Sequence, residues 1–69
     1  MRNPKKECKS KVREARKKRG WTQEYLAQIT GVSTVYINNL EKGKYKNPGI
    51  QNCKEVAYAL GLKIEDIWN

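Results

Sequence analysis

Five residues near the middle of the chain carry groups suited to recognising another molecule: Thr34, Val35, Asn38, Asn39 and Lys42. An asparagine amide sets an acceptor beside a donor, so one side chain can satisfy a planar partner twice over. Threonine and valine add methyl groups, and lysine adds a point charge for an anion. Bond-making chemistry is poorly supplied by comparison. The chain has no histidine, which removes the usual residue of metal sites and of acid–base work near neutral pH. Its two cysteines, Cys8 and Cys53, match neither a zinc spacing nor a disulfide framework. Neither catalytic residue, nor metal, nor cofactor, nor small-molecule ligand is expected.

Charge points to the kind of partner. Of 15 Lys and Arg residues, ten lie before Gly20 (Arg2, Lys5, Lys6, Lys9, Lys11, Arg13, Arg16, Lys17, Lys18 and Arg19), against Glu7 and Glu14. From Gly20 onward five lysines balance four glutamates and one aspartate, so the net +8 belongs to the first 19 residues. Such an end suits a polyanion, nucleic acid before an acidic membrane surface. "RNPKKECKSK" lacks the bulky apolar residues of an interfacial helix. No apolar run approaches the roughly 18 residues of a membrane span, and the basic N-terminus leads into no secretion signal. A reduced, cytoplasmic setting is expected.

These groups must be positioned by helices. With 69 residues there is room for one small core, and hence little room for a deep substrate pocket. The expected organisation is a basic arm over residues 1–7, which can stay disordered, and one domain over residues 8–69. Gly20, Gly31, Gly43, Asn47-Pro48-Gly49 and Gly61 punctuate stretches too long and wrongly spaced for strands. An all-α fold of about five short helices follows.

The first helix is expected over about residues 8–18, with Cys8, Val12, Ala15, Arg16 and Arg19 near one face. Thr22 is the N-cap of a second, which turns Leu26, Ala27 and Ile29 inward, and Gly31 ends it. Ser33 caps a third, with Val32 and Ile37 as a hydrophobic staple, and Gly43 closes it. Pro48 suits the first position of a fourth. Its apolar stripe is Ile50, Cys53, Val56, Ala57 and Leu60, which makes Cys53 a small buried hydrophobe. Cys8 is expected as a free thiol. Leu62, Ile64, Ile67 and Trp68 form a last short hydrophobic segment.

The joint Gly31-Val32 is too tight for antiparallel packing, so helices two and three must cross steeply, as in a helix-turn-helix. At about 100° per residue, Ile37 and Leu40 define the buried side of helix three. Val35, Asn38, Asn39 and Lys42 then project outward, with Thr34 at the exposed N-terminal end. Arg16 and Glu41 fall on core-facing sides, where an unpaired charge would cost several kcal/mol. They are expected to pair with each other.

The segment "TQEYLAQITGVSTVYINNLEKGKYKNP" resembles the helix-turn-helix of the Cro/lambda-repressor (Xre) family. The likeness is carried by Thr22-Gln23, Leu26-Ala27, Gly31-Val32-Ser33, Ile37, Leu40-Glu41, Gly43 and Asn47-Pro48. Downstream, "VAYALGLKIEDIW" is similar to that family's fourth and fifth helices, so the likeness runs from about residue 10 to the end. It implies a five-helix lambda-repressor-like DNA-binding domain whose third helix enters the major groove. By that resemblance Thr34, Val35 and Asn39 read bases, with Asn38 beside them. Asn39 suits adenine N6 and N7, and the Val35 and Thr34 methyls suit a thymine methyl. Thr22, Gln23, Ser33, Lys42, Lys44, Lys46 and Asn47 fall to the phosphates, as does Tyr36 unless, from the edge of the outward face, it packs against the second helix. With no arginine on the face, A·T pairs should be favoured over G contacts. Trp21 stands where the family has a smaller aliphatic residue and is expected as core or half-buried cover.

The resemblance implies a sequence-specific transcriptional regulator, a repressor in its commoner form, and not an enzyme. One recognition helix reads few base pairs, so a homodimer on two half-sites of double-stranded DNA is expected. Ile64, Ile67 and Trp68 are its expected contact, with Trp68 equally able to fold back onto the core. The alternative is an antitoxin-like protein-interaction module, whose main partner is another, regulatory protein and whose surface includes Tyr25, Tyr45, Tyr58 and Trp68.

Overall fold

The computed structural model describes residues 6–68, with side chains from Lys11 onward. In chain order it has α1 (Lys6–Lys18), α2 (Gln23–Thr30), α3 (Thr34–Lys42), α4 (Ile50–Leu60) and a 3-10 turn (Ile64–Asp66). Residues 1–5 of the basic arm, and the side chains of Lys6, Cys8 and Lys9, lie outside the described residues. The fifth helix expected from the sequence is only that single turn. Asp66 N–H donates to Lys63 O and Ile67 N–H to Ile64 O, each at 2.9 Å. These three-residue bonds wind the chain too tightly for an α-helix to propagate.

Local chemistry explains the joints. Thr22 Oγ1 accepts from Tyr25 N–H and Ser33 Oγ from Tyr36 N–H, each at 3.0 Å. Each bond satisfies one N–H that the first helical turn leaves without a backbone partner. Between these caps the chain must stop one helix and start another within three residues. Gly31 allows it by taking φ +79°, a left-handed conformation that side chains disfavour. Its N–H still reaches Ala27 O at 2.9 Å.

One core unites the helices. Val12 of α1, Leu26 of α2, Ile37 of α3, and Cys53, Val56 and Leu60 of α4 are its most deeply buried side chains. A fully buried aliphatic side chain contributes about 1.5–3 kcal/mol. α1 and α2 both pack against α3, and α4 backs α2. Trp21 is half-buried against this core, with the Tyr25 ring 5.2 Å away and the Arg19 guanidinium 5.5 Å from its own ring.

Three apolar expectations are corrected. Ile29 is 45% exposed, because the inward face of α2 is completed by Thr30, whose Oγ1 bonds back to Leu26 O at 2.7 Å. Ile50 is 53% exposed at the first position of α4. Ile67, expected at a surface between subunits, is buried in the core, and Trp68 packs against that core. The 3-10 turn folds this end back against α1. Pro48 is also displaced. It precedes α4 as a buried loop residue, and Gly49 is the N-cap. Asn47 Oδ1 accepts from Gly49 N–H at 3.1 Å, which closes a turn where the first helical residue was expected.

Candidate nucleic-acid interface

The outward face of α3 follows from its inward one. With Ile37 and Leu40 in the core, Val35 stands on the opposite side, and 68% of it is exposed. A single exposed apolar side chain is common on a protein surface, so Val35 takes its meaning from the polar groups around it. Thr34, Asn38 and Asn39 flank it and are half-exposed, while Lys42 is exposed. After Gly43, Lys44, Tyr45, Lys46 and Asn47 form an exposed loop beside the helix end. The loop is tied to α3 by Lys44 N–H, which donates to Asn39 O at 3.0 Å.

Behind this face lies a buried polar chain. Arg16 Nε donates to Glu41 Oε2 at 2.6 Å, and Arg16 Nη2 donates to Glu41 Oε1 at 3.2 Å. Arg16 Nη1 also donates to Trp21 O at 2.8 Å. Forked geometry of this kind suits a carboxylate removed from water. Gln23 Nε2 reaches Glu41 Oε1 at 3.1 Å, and Asn38 Nδ2 reaches Gln23 Oε1 at 3.3 Å. Gln23 and Asn38 are therefore held by the ion pair and by each other. Among the described residues, no buried side-chain nitrogen or oxygen lacks a hydrogen-bond partner.

Tyr36 takes the packed one of the two places that its position at the edge of the face left open. Its side chain is buried, and its hydroxyl donates to Pro48 O at 2.9 Å instead of pointing to a phosphate. Tyr36 and Glu41 both lie about 70° from the middle of the buried side, by the 100° rule. That is the margin where periodicity decides least. Burial, then the neighbouring Cys53, raises the Tyr36 hydroxyl well above the ordinary phenol range, so it stays protonated and a donor. Burial likewise raises the Cys53 thiol, although the Tyr36 hydroxyl partly opposes this.

Tyr45 is the residue that sequence reasoning did not place here. Its ring stacks on Tyr36, with centroids 5.2 Å apart and 27° between planes. Its hydroxyl accepts from Asn39 Nδ2 at 3.4 Å. The available signal was a tyrosine set between two lysines in a loop proposed to border the partner. Thr22 and Ser33, expected at phosphates, have their oxygens engaged as caps, and both residues remain exposed.

Two short helices crossing at a glycine joint, the second with a free mixed face beside a basic loop, define a helix-turn-helix domain. The chain belongs to the helix-turn-helix family of Xre or lambda-repressor type, whose sequence model matches residues 12–67. An HTH-type transcriptional regulator of Archaeoglobus fulgidus is 42% identical over 60 residues, 87% of this chain and 84% of its own length. Another from Methanothermobacter thermautotrophicus is 47% identical over 58 residues, 83% of each chain. The N-terminal DNA binding domain of SinR from Bacillus subtilis has the same fold, with TM-score 0.78 over 90% of both chains and 24% identity. The family is one of DNA-binding transcriptional regulators. Among the described residues, no helix is long and apolar enough to cross a membrane.

Proposed function

We propose that this protein is a sequence-specific transcriptional regulator, a repressor, that inserts α3 into the major groove of double-stranded DNA. The exposed Val35 between Thr34 and Asn39 carries the reading, because a thymine methyl supplies the apolar partner that water does not. Asn39 reads adenine, and Lys42, Lys44 and Lys46 meet phosphates on either side. Gln23, at the N-terminus of α2, uses its remaining amide hydrogen and the adjoining backbone N–H groups for a further phosphate. Selection of bound sequences from random DNA tests this reading. An A·T-rich consensus supports it, and absence of any enriched sequence overturns it.

The regulator acts as a homodimer on a two-fold operator. One α3 spans too few base pairs for useful specificity, and two half-sites about one helical turn apart multiply it. With Ile67 in the core, the shallow groove lined by Lys54, Ala57, Tyr58, Leu62 and Ile64, with half-buried Trp68 nearby in sequence, is the surface for self-contact at this end. Sedimentation on a consensus duplex checks the stoichiometry, and one copy per duplex overturns the dimer. The same groove, bordered by Tyr58 at 88% exposure, favours a second reading in which a regulatory protein docks there. Copurification of one defined partner in place of a second copy would favour it.

A further inference from the structure

We infer that Tyr45 is a positioning residue that sets base specificity, by fixing the amide of Asn39 in the orientation that reads adenine. The inference rests on the proposal that α3 is the base-reading helix. An asparagine amide is nearly symmetric in shape but opposite in hydrogen bonding at its two ends. Left free, it turns over and offers donor and acceptor in either order. A reader of one base needs one order.

The structure supplies the anchor. Asn39 Nδ2 donates to the Tyr45 hydroxyl at 3.4 Å. The hydroxyl is held there because the Tyr45 ring stacks on Tyr36. Tyr36 in turn is buried and bonded to Pro48 O at 2.9 Å. The platform is thus rooted in α3 itself and at the far end of the loop. When the N–H trans to Oδ1 of Asn39 is directed to Tyr45, Oδ1 and the N–H beside it remain on a single free edge. That acceptor–donor pair complements adenine, which offers N6–H as donor and N7 as acceptor.

A tyrosine hydroxyl could also donate to Asn39, which would reverse the amide. The loop decides against this on DNA. Tyr45 stands between Lys44 and Lys46, so the hydroxyl hydrogen has a phosphate anion to donate to, and a charge-assisted bond is the stronger choice. The oxygen then remains an acceptor for Asn39. Phosphate, Tyr45 and Asn39 form a relay in which the backbone contact sets the orientation of the base reader.

The test is selection from random DNA with wild type, Tyr45→Phe, Asn39→Ala and the double variant, with thermal melting of each. Tyr45→Phe keeps the stacked ring, so its melting temperature should match wild type. Its preference at the base pair read by Asn39 should fall roughly two- to tenfold, and the double variant should lose no more preference there than Asn39→Ala alone. Equal weakening of Tyr45→Phe on all sequences, with preference intact, would mark a phosphate contact only and overturn the inference. Unchanged preference in Asn39→Ala would also overturn it. Absence of any consensus for wild type would instead refute the base-reading proposal on which it rests.

Discussion

Arg16 of α1 and Glu41 of α3 meet inside the core at 2.6 Å, and Glu41 is also the anchor for Gln23 of α2. Three helices thus share one carboxylate. Removing either charge leaves the other buried without its partner, which typically costs 3–5 kcal/mol. Glu41→Ala should therefore melt at least about 10 °C below wild type. The double variant Arg16→Met with Glu41→Leu should recover more than half of that loss, because the net worth of such a pair is small once both charges are gone. Thermal denaturation followed by circular dichroism checks both.

The Tyr36–Pro48 bond makes a second, separable prediction. Tyr36→Phe keeps the ring in the core and on Tyr45 but leaves the buried Pro48 carbonyl unpaired. A cost of about 1–2 kcal/mol in denaturant unfolding is expected. Faster amide exchange should be confined to residues 44–49. Exchange raised equally throughout the molecule would show that the bond does not specifically fasten this loop.

What could be read without coordinates was local or strongly charged. A cap joins atoms three residues apart, so Thr22, Ser33, Gly31 and Gly43 were legible as types in sequence. Arg16 and Glu41 were legible because a buried charge has few solutions. The errors cluster where distant contacts decide. Pro48 is drawn out of α4 by Tyr36, twelve residues earlier, and by the turn that Asn47 makes. Ile67 is buried where the 3-10 turn packs against α4 and against α1, from the other end of the sequence. Ile29 and Ile50 show a different limit. On helices of eight and 11 residues the apolar stripe is only two or three turns long, so one residue at its edge can face either way. Tyr45 was legible only as an exposed aromatic, because its place beside Asn39 depends on a stacked neighbour and on the path of an irregular loop.

Gly31 offers a test of the joint that does not touch the face. A Cβ built there meets nothing within 4 Å, so a substitution strains only the backbone. Gly31→Ala should cost about 1–2 kcal/mol. Gly31→Asn should cost less, since asparagine tolerates the left-handed region better. Both variants should keep the base preferences of wild type when folded. Altered preference would mean that the crossing of α2 and α3 had shifted.

Acidification should act on the C-terminal turn. The Lys63 N–H, then Lys11 at 3.2 Å, lower the Asp66 carboxyl below its ordinary 3.8. A lowered folded value means that the stabilisation is present above the unfolded value and is lost as pH falls through the folded one. Wild type should thus lose melting temperature more steeply than Asp66→Asn from pH 5 downward. The gap between the two should close at the acid end. Parallel curves would mean that this carboxylate does not stabilise the fold.

The division between face and loop makes the sharpest prediction about function. A base contact has a partner at one position, so Asn39→Ala and Val35→Ala should each relax preference at one or two base pairs. The expected loss is about 1–3 kcal/mol on the best site for Asn39, with little change on random DNA. A phosphate contact has the same partner everywhere. Lys44→Ala and Lys46→Ala should weaken all sequences alike, and each should lower the slope of log affinity against log salt by about one. Titration of consensus and random duplexes over a range of salt separates the two classes. Because Val35 carries no charge and makes no hydrogen bond, its variant leaves the salt slope untouched, and any loss at an A·T pair then reports the thymine methyl alone.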